Sequence, residues 1–574
     1  MATLALLVAC NAGGSLTRQA STDNEPSSSH VKAGANEIDS ALGSYLAGRL
    51  AHHERDAASA ARYLTRALAD DPDNLNLMRQ TYLALHAEGR MTDAARLARR
   101  IVEARPKESI AAVTLAVDAI RKGQIESAKA QLDAIPRQGY NTLLVPLLTA
   151  WTLAGQNRFD DAQAALDSLD KSQAFAVFRQ FHSALISDLA DNHDAAEEAY
   201  RSTIAAQPGG SFRAVTAFGA FYERGGRSEA ARKLYEDYQN ENPESVWFEP
   251  ALARLASGTA AERVVNDARE GSAEALFGIA SALFQENALD TALLYARLAI
   301  HLRPAFDATY MLLGEILETQ SLPEVAIAAY EAIGPSSPLN WSAQLRIATN
   351  LDDLDRTDDG VLILRAMAEQ RPERADVLIT LGDMLRARER WDEAVAAYDD
   401  ALGRVGAFEP RHWRPLYARG IALERSKQWP RAESDFLTAL DLEPDQPFVL
   451  NYLGYSWVDK GVNLDRALEM IERAVDLRPD DGYITDSLGW AHYRLGNFTD
   501  AVRLLERAVV LRPDDPTIND HLGDAYWRVN RRVEARFQWR RALALGPEED
   551  EEIFRIEEKL RRGLLPGTVA DGGG

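Results

Sequence analysis

The sequence predicts an all-α fold: a superhelical solenoid of paired antiparallel helices. Three observations predict it. Two stretches near the C-terminus, starting at Tyr483 and Thr517, align so that Leu488-Gly489 and Leu522-Gly523 fall 34 residues apart. Each stretch continues with the same skeleton of small, bulky and small residues closed by proline: Ala501, Leu505, Ala508 and Pro513, then Ala535, Trp539, Ala542 and Pro547. In both, apolar residues recur at helical spacing, which gives each helix one buried stripe. The glycine lets two helices approach where a Cβ would hold them apart. The proline ends the second helix, because it cannot continue one. A single pair cannot bury its own face, so the pairs must stack.

Composition sets the bounds. The chain has 574 residues, far too many for one compact core, and a stack of pairs escapes that limit. The formal net charge of −23 argues against nucleic acid or anionic lipid as the main partner, since both are polyanions. Cys10 is the only cysteine, which excludes an intramolecular disulfide and a cysteine metal cluster. No apolar run is long enough to span a bilayer.

Taken in order, residues 1–10 read MATLALLVAC. The short apolar run ending Leu7-Val8-Ala9-Cys10 resembles a bacterial lipobox, so Cys10 is the expected site of lipidation. No Lys or Arg precedes the run, and it reads as a truncated lipoprotein signal segment. Residues 11–40, rich in Ser, Asn, Gly and Ala, read as a flexible tether. The 34-residue frame then runs through 41–244 as an N-terminal array of about six degenerate units, the first carrying Gly48, Ala60, Leu64, Ala67 and Pro72. The frame breaks over 245–272, which reads as a non-repeat helical connector or as one degenerate unit with an insertion. It resumes over 273–549 as a C-terminal array of about eight units. Residues 550–562 form a charged amphipathic pattern suited to capping the exposed last unit. The Gly-rich tail, 563–574, is expected to be disordered.

No catalytic arrangement stands out. His52-His53-Glu54 lacks the i, i+4 histidine pair of a helical zinc site. There is no G-x-S-x-G elbow and no phosphate-binding G-x-x-x-x-G-K-[ST] loop. The reading is therefore of a protein that is not an enzyme and uses no cofactor and no metal.

The skeleton of Leu-Gly, Ala, bulky residue, Ala and Pro at a 34-residue period resembles the tetratricopeptide (TPR) repeat. That resemblance implies that positions 2, 5, 9, 12 and 13 of each unit face a concave groove. In the unit from Pro447 these are Phe448, Asn451, Tyr455, Val458 and Asp459. In the next they are Tyr483, Asp486, Trp490, Tyr493 and Arg494, and in the last Thr517, Asp520, Asp524, Trp527 and Arg528. Tyr, Trp and Arg dominate interface energetics. The expected partner-binding residues are therefore Tyr455, Tyr483, Asp486, Trp490, Tyr493, Arg494, Asp520, Asp524, Trp527 and Arg528. The alternative for each aromatic is packing between adjacent units. On the groove reading, truncating Trp490 and Trp527 weakens partner binding about thirtyfold and leaves the fold intact. Lysines are missing from these positions, unlike the carboxylate clamp of chaperone-binding TPR domains.

The lipobox, the tether, the long array and the run YLGYSWVDKGVNLDRALEMIERAVDLRPDDGYITDSLGW together resemble the large outer-membrane TPR lipoproteins of Gram-negative bacteria. Some of these are adaptors that bind a periplasmic carboxyl-terminal processing protease and deliver peptidoglycan hydrolases to it. The resemblance implies a lipid-anchored, periplasm-facing scaffold with protein partners, touching the membrane only through its lipid. Alternatives are a scaffold for envelope polysaccharide export or secretion, or a cytosolic TPR assembly factor if Cys10 is not lipidated.

Overall fold

The computed structural model describes residues 40–171, 175–206, 211–243, 245–547 and 549–564. Cys10, the tether over 11–39 and the tail from 565 lie outside the described residues. Within them the chain is all-α, with thirty α-helices and no strand. Six antiparallel pairs, from Ala41–His53 with Ala57–Asp70 to Phe212–Arg224 with Ser228–Glu241, precede a lone helix, Glu249–Ser257. Eight pairs follow it, from Ala268–Gln285 with Leu289–Leu302 to Pro516–Arg528 with Arg532–Leu545. A single helix, Asp550–Arg562, comes last. No described helix is long and apolar enough to cross a membrane.

Local chemistry explains the pairing. Gly489 sits in the first helix of its pair, and a Cβ built there would lie 2.7 Å from Leu505 Cγ in the second. Gly523 meets Trp539 in the same way, at 2.5 Å. These glycines mark where the two helices cross, as the Leu-Gly spacing predicts. First helices start at side-chain caps: Asp481 accepts from the backbone N–H of Tyr483 and Ile484, and Asp515 from that of Ile518, satisfying donors the helix leaves open.

The chain forms two compact units, dividing between Ala111 and Ala112. Residues on both sides of 245–272, where the 34-residue frame breaks, belong to the second of these units. The reason is the helix Ala268–Gln285, longer than the other first helices, which packs on Asn141–Ala154. Trp151, fully buried, lies over Gly271. Arg213 pairs with Glu274, and Tyr140 with Glu286. This helix is rich in small residues (Gly271, Ser272, Ala273, Ala275 and Gly278), which permits the close approach. It occupies space against the first helices of earlier pairs, where an open groove is expected from the sequence.

Candidate functional site

The last three first helices, Pro447–Lys460, Gly482–Arg494 and Pro516–Arg528, carry the residues singled out from the sequence. Positions 486, 490 and 493 recur at three and four residues, so they share one helix face, and so do 520, 524 and 527. The structure brings four of the ten, Tyr455, Trp490, Tyr493 and Trp527, together in one apolar cluster. Trp490, Tyr493, Leu522, Trp539 and Ile556 form its centre, and Tyr455 and Trp527 pack against it. Trp490 is only 5 % exposed. Its indole stacks on Tyr493, with ring centres 4.6 Å apart, and on His521 at 4.0 Å.

The charges between these aromatics pair from one unit to the next. Arg494 Nη1 lies 3.0 Å from Asp459 Oδ1. His521 Nδ1 lies 3.0 and 3.1 Å from the two carboxylate oxygens of Asp486. Arg528 Nε donates to the Tyr493 hydroxyl at 3.1 Å. Lys559 Nζ lies 2.9 Å from Asp524 Oδ2 and 2.6 Å from Asp520 Oδ2. Four of these links, 459–494, 486–521, 493–528 and 524–559, span 35 residues each. The inward acids and cations therefore form a ladder in which each unit satisfies its neighbour. Asp188 with Arg224 repeats the pattern upstream.

The last rung belongs to the final helix. Asp550–Arg562 lies over the inward face of Pro516–Arg528 and seals it. Thr517 Oγ1 donates to Glu552 at 3.3 Å, and Trp527 Nε1 donates to the Leu564 carbonyl at 3.2 Å. Trp539 Nε1 donates to Asp524 Oδ1 at 2.9 Å from the opposite side. Burial works against the charge on Lys559, but Asp524 and Asp520 outweigh it and hold the ammonium charged. Burial pushes the Asp524 carboxyl up, with Lys559 opposing.

The expectation of an open aromatic groove is therefore corrected for most of its residues. Asp486, Trp490, Tyr493, Asp520 and Asp524 are buried, while Tyr455, Arg494, Trp527 and Arg528 are half-buried. The physical reason is mutual: each inward side chain finds its partner one unit on, and the end of the row is covered. Tyr483 alone among the ten is exposed, at 52 %, and it stands with Phe448, 41 % exposed, at the first turns of consecutive first helices. Arg512 lies 5.0 Å from the Tyr483 ring and Arg478 5.2 Å from the Phe448 ring. His521 and Lys559 were missed from the sequence. The signal that finds both is the 35-residue offset from an inward acid.

His521 makes this site sensitive to pH. Burial opposes its charge, but Asp486, with Asp520 and Asp524 behind it, outweighs burial and raises its pKa above the usual histidine value. A histidine so raised contributes stability fully present below its unfolded pKa of about 6.5. That contribution is lost as pH rises through the folded value. His521→Gln is expected to reduce the gain in stability shown by the wild type between about pH 8 and about pH 6. Urea unfolding at the two pH values checks this, and an unchanged gain in the variant would contradict it.

The family model and one curated relative name the same repeat. The tetratricopeptide repeat family model matches residues 41–109, 345–410, 380–447, 417–482, 461–516 and 487–550. A TPR repeat-containing protein of Pseudomonas aeruginosa is 30% identical over 196 residues, 34% of this chain. The general transcriptional corepressor ssn6 of Schizosaccharomyces pombe is 24% identical over 146 residues, 25% of this chain. The matched part of the chain spans only 32% of the first relative's length and 13% of the second's. Among solved structures, the APC/C hetero-tetramer Cut9-Hcn1 aligns with a TM-score of 0.37 at 16% identity, over 86% of this chain and 97% of that one. Yeast Tom70 aligns with a TM-score of 0.29 at 15% identity, over 91% and 95%. TPR repeats indicate a protein–protein interaction scaffold. With its stacked helix pairs, the chain is built of tetratricopeptide repeats over these matched segments.

Proposed function

We propose that this protein is a non-catalytic adaptor of the bacterial envelope. In this reading it is anchored in the outer membrane through lipid on Cys10 and faces the periplasm. Its partners are a carboxyl-terminal processing protease and the peptidoglycan hydrolases delivered to it. The lipobox resemblance and the long TPR array support this reading, and the partner classes come from the family resemblance alone.

One observation carries the binding role: Phe448 and Tyr483 are large aromatics left exposed on neighbouring units, each with an arginine over its ring. Their neighbours are locked into the ladder, so the edge is held rigid. Rigid aromatics flanked by arginine have the composition of interface hot spots. Truncating such anchors typically costs about 2 kcal/mol or more, about thirtyfold in affinity. Phe448→Ala with Tyr483→Ala is expected to weaken retention of envelope partners by that factor in a quantitative pull-down, with circular dichroism unchanged. Equal retention by the variant would place the contact elsewhere. Mass spectrometry of the membrane-fractionated protein tests the anchor, and an unmodified Cys10 there would rule it out.

A further inference from the structure

We infer that the inward face of the helix Pro516–Arg528 is a binding site for an amphipathic helix anchored by one buried cation, and that Asp550–Arg562 is its built-in occupant. This rests on the reading of the chain as a protein-binding scaffold and names the chemistry of one partner segment.

The final helix is seated as a ligand would be. Its contacts with Pro516–Arg528 fall on Thr517, Asp520, Asp524 and Trp527, the positions at which TPR resemblance places a groove. A helix laid along a groove by one face is a recurring mode of peptide recognition. The anchoring charge is unusual for a mere cover. Lys559 is 6 % exposed and lies between two buried carboxylates. Apolar side chains would cover a solenoid end at lower desolvation cost than a buried ion pair. Charge at such a position favours discrimination between partners.

The fit is also incomplete. Two carboxylates share one ammonium. Asp520 is 3 % exposed, and its Oδ1 accepts no hydrogen bond from the described residues. A guanidinium offers five donors in a fork and satisfies paired carboxylates better than an ammonium. Ile556 is the only fully buried apolar side chain of the final helix, with Leu560 half-buried beside it against the core cluster, and Phe554 is 61 % exposed on its outer face. Gly546, left-handed at φ 75°, forms the joint behind it. A partner helix with an apolar residue followed three positions later by arginine matches the Ile556 and Lys559 sites and supplies the missing donors.

The probe is a fluorescent synthetic peptide spanning Glu549–Leu564 and carrying Lys559→Arg, titrated by anisotropy against the full chain. Lys559→Ala in the chain frees its own helix and is expected to tighten peptide binding at least tenfold over wild type. Adding Asp520→Asn and Asp524→Asn is expected to reverse that gain. Equal binding to wild type and to Lys559→Ala, or no effect of the two Asn changes, overturns the inference. A second chain guards against loss of folding. With Cys10→Ser, Thr517→Cys and Glu552→Cys, a reducible bismaleimide crosslinker joins the two thiols and holds the final helix down. This chain is expected to bind peptide only after reduction, and binding indifferent to reduction overturns the inference. The two readings fail separately. An envelope partner retained equally by wild-type and locked chains, with no peptide bound by Lys559→Ala, sinks this inference and leaves the scaffold. Peptide bound as expected with no envelope partner retained supports the inference and counts against the scaffold.

Discussion

Trp490→Ala is expected to destabilise the C-terminal pairs by about 3–5 kcal/mol, the usual cost of removing a buried Trp or Phe. The indole is 5 % exposed and stacked between Tyr493 and His521. Its loss opens a cavity and removes two ring contacts at once. Each such contact is worth about 0.5–1.5 kcal/mol beyond its area. The loss also frees His521 from the plane that holds it against Asp486. Repeat arrays can unfold in parts, so the local readout is hydrogen exchange of the segments 482–494 and 516–528, which is expected to rise together. A cost below about 1 kcal/mol, with exchange unchanged, would put Trp490 on the surface, where sequence spacing alone places it.

Gly271→Val is expected to unseat the helix Ala268–Gln285. A Cβ at this position would lie 2.2 Å from two ring atoms of Trp151, and the ring has nowhere to go. Trp151 is fully buried, and its Nε1 donates to His182 Nδ1 at 3.0 Å. Burial lowers the pKa of His182 to about 3, so the imidazole is neutral near neutral pH and can accept this bond. Overpacking a filled core commonly costs 1–3 kcal/mol. With an immovable ring the expected effect is about 3 kcal/mol or more, read as a lower melting temperature by circular dichroism. Gly278→Ala is the mild control, because its Cβ would meet only the edge of Phe178 at 3.0 Å. Equal melting of Gly271→Val and wild type would mean that this helix does not rest on Trp151.

These two residues mark the limit of what the sequence discloses. Leu488-Gly489, Ala501, Leu505 and Pro513 constrain backbone approach and helix ends within one pair, so the fold class is legible from them. Spacing also shows which side chains share a face: Asp486, Trp490 and Tyr493 do. It does not show what lies opposite that face. Trp490 is buried because Tyr493 and His521 flank it, and Asp524 because Lys559 arrives from beyond the last repeat. The small residues of Ala268–Gln285 read as an ordinary unit start. Their packing on Trp151 joins residues 120 positions apart (271 − 151), a distance no 34-residue period encodes. Of the ten expected binding residues, Tyr483 alone keeps the exposure that its position implies, and its neighbour one unit on is the small, polar Thr517.

Hydrogen exchange of the final helix tests the central claim most directly, that the inward row of the last units is a ladder closed by Asp550–Arg562. In the full chain, peptides covering 516–528 and 550–562 are expected to be protected to similar degrees. Lys559→Ala is expected to speed exchange in both together and to leave 376–387 unchanged. Rapid exchange of 550–562 in the wild type, with 516–528 still protected, would contradict the claim.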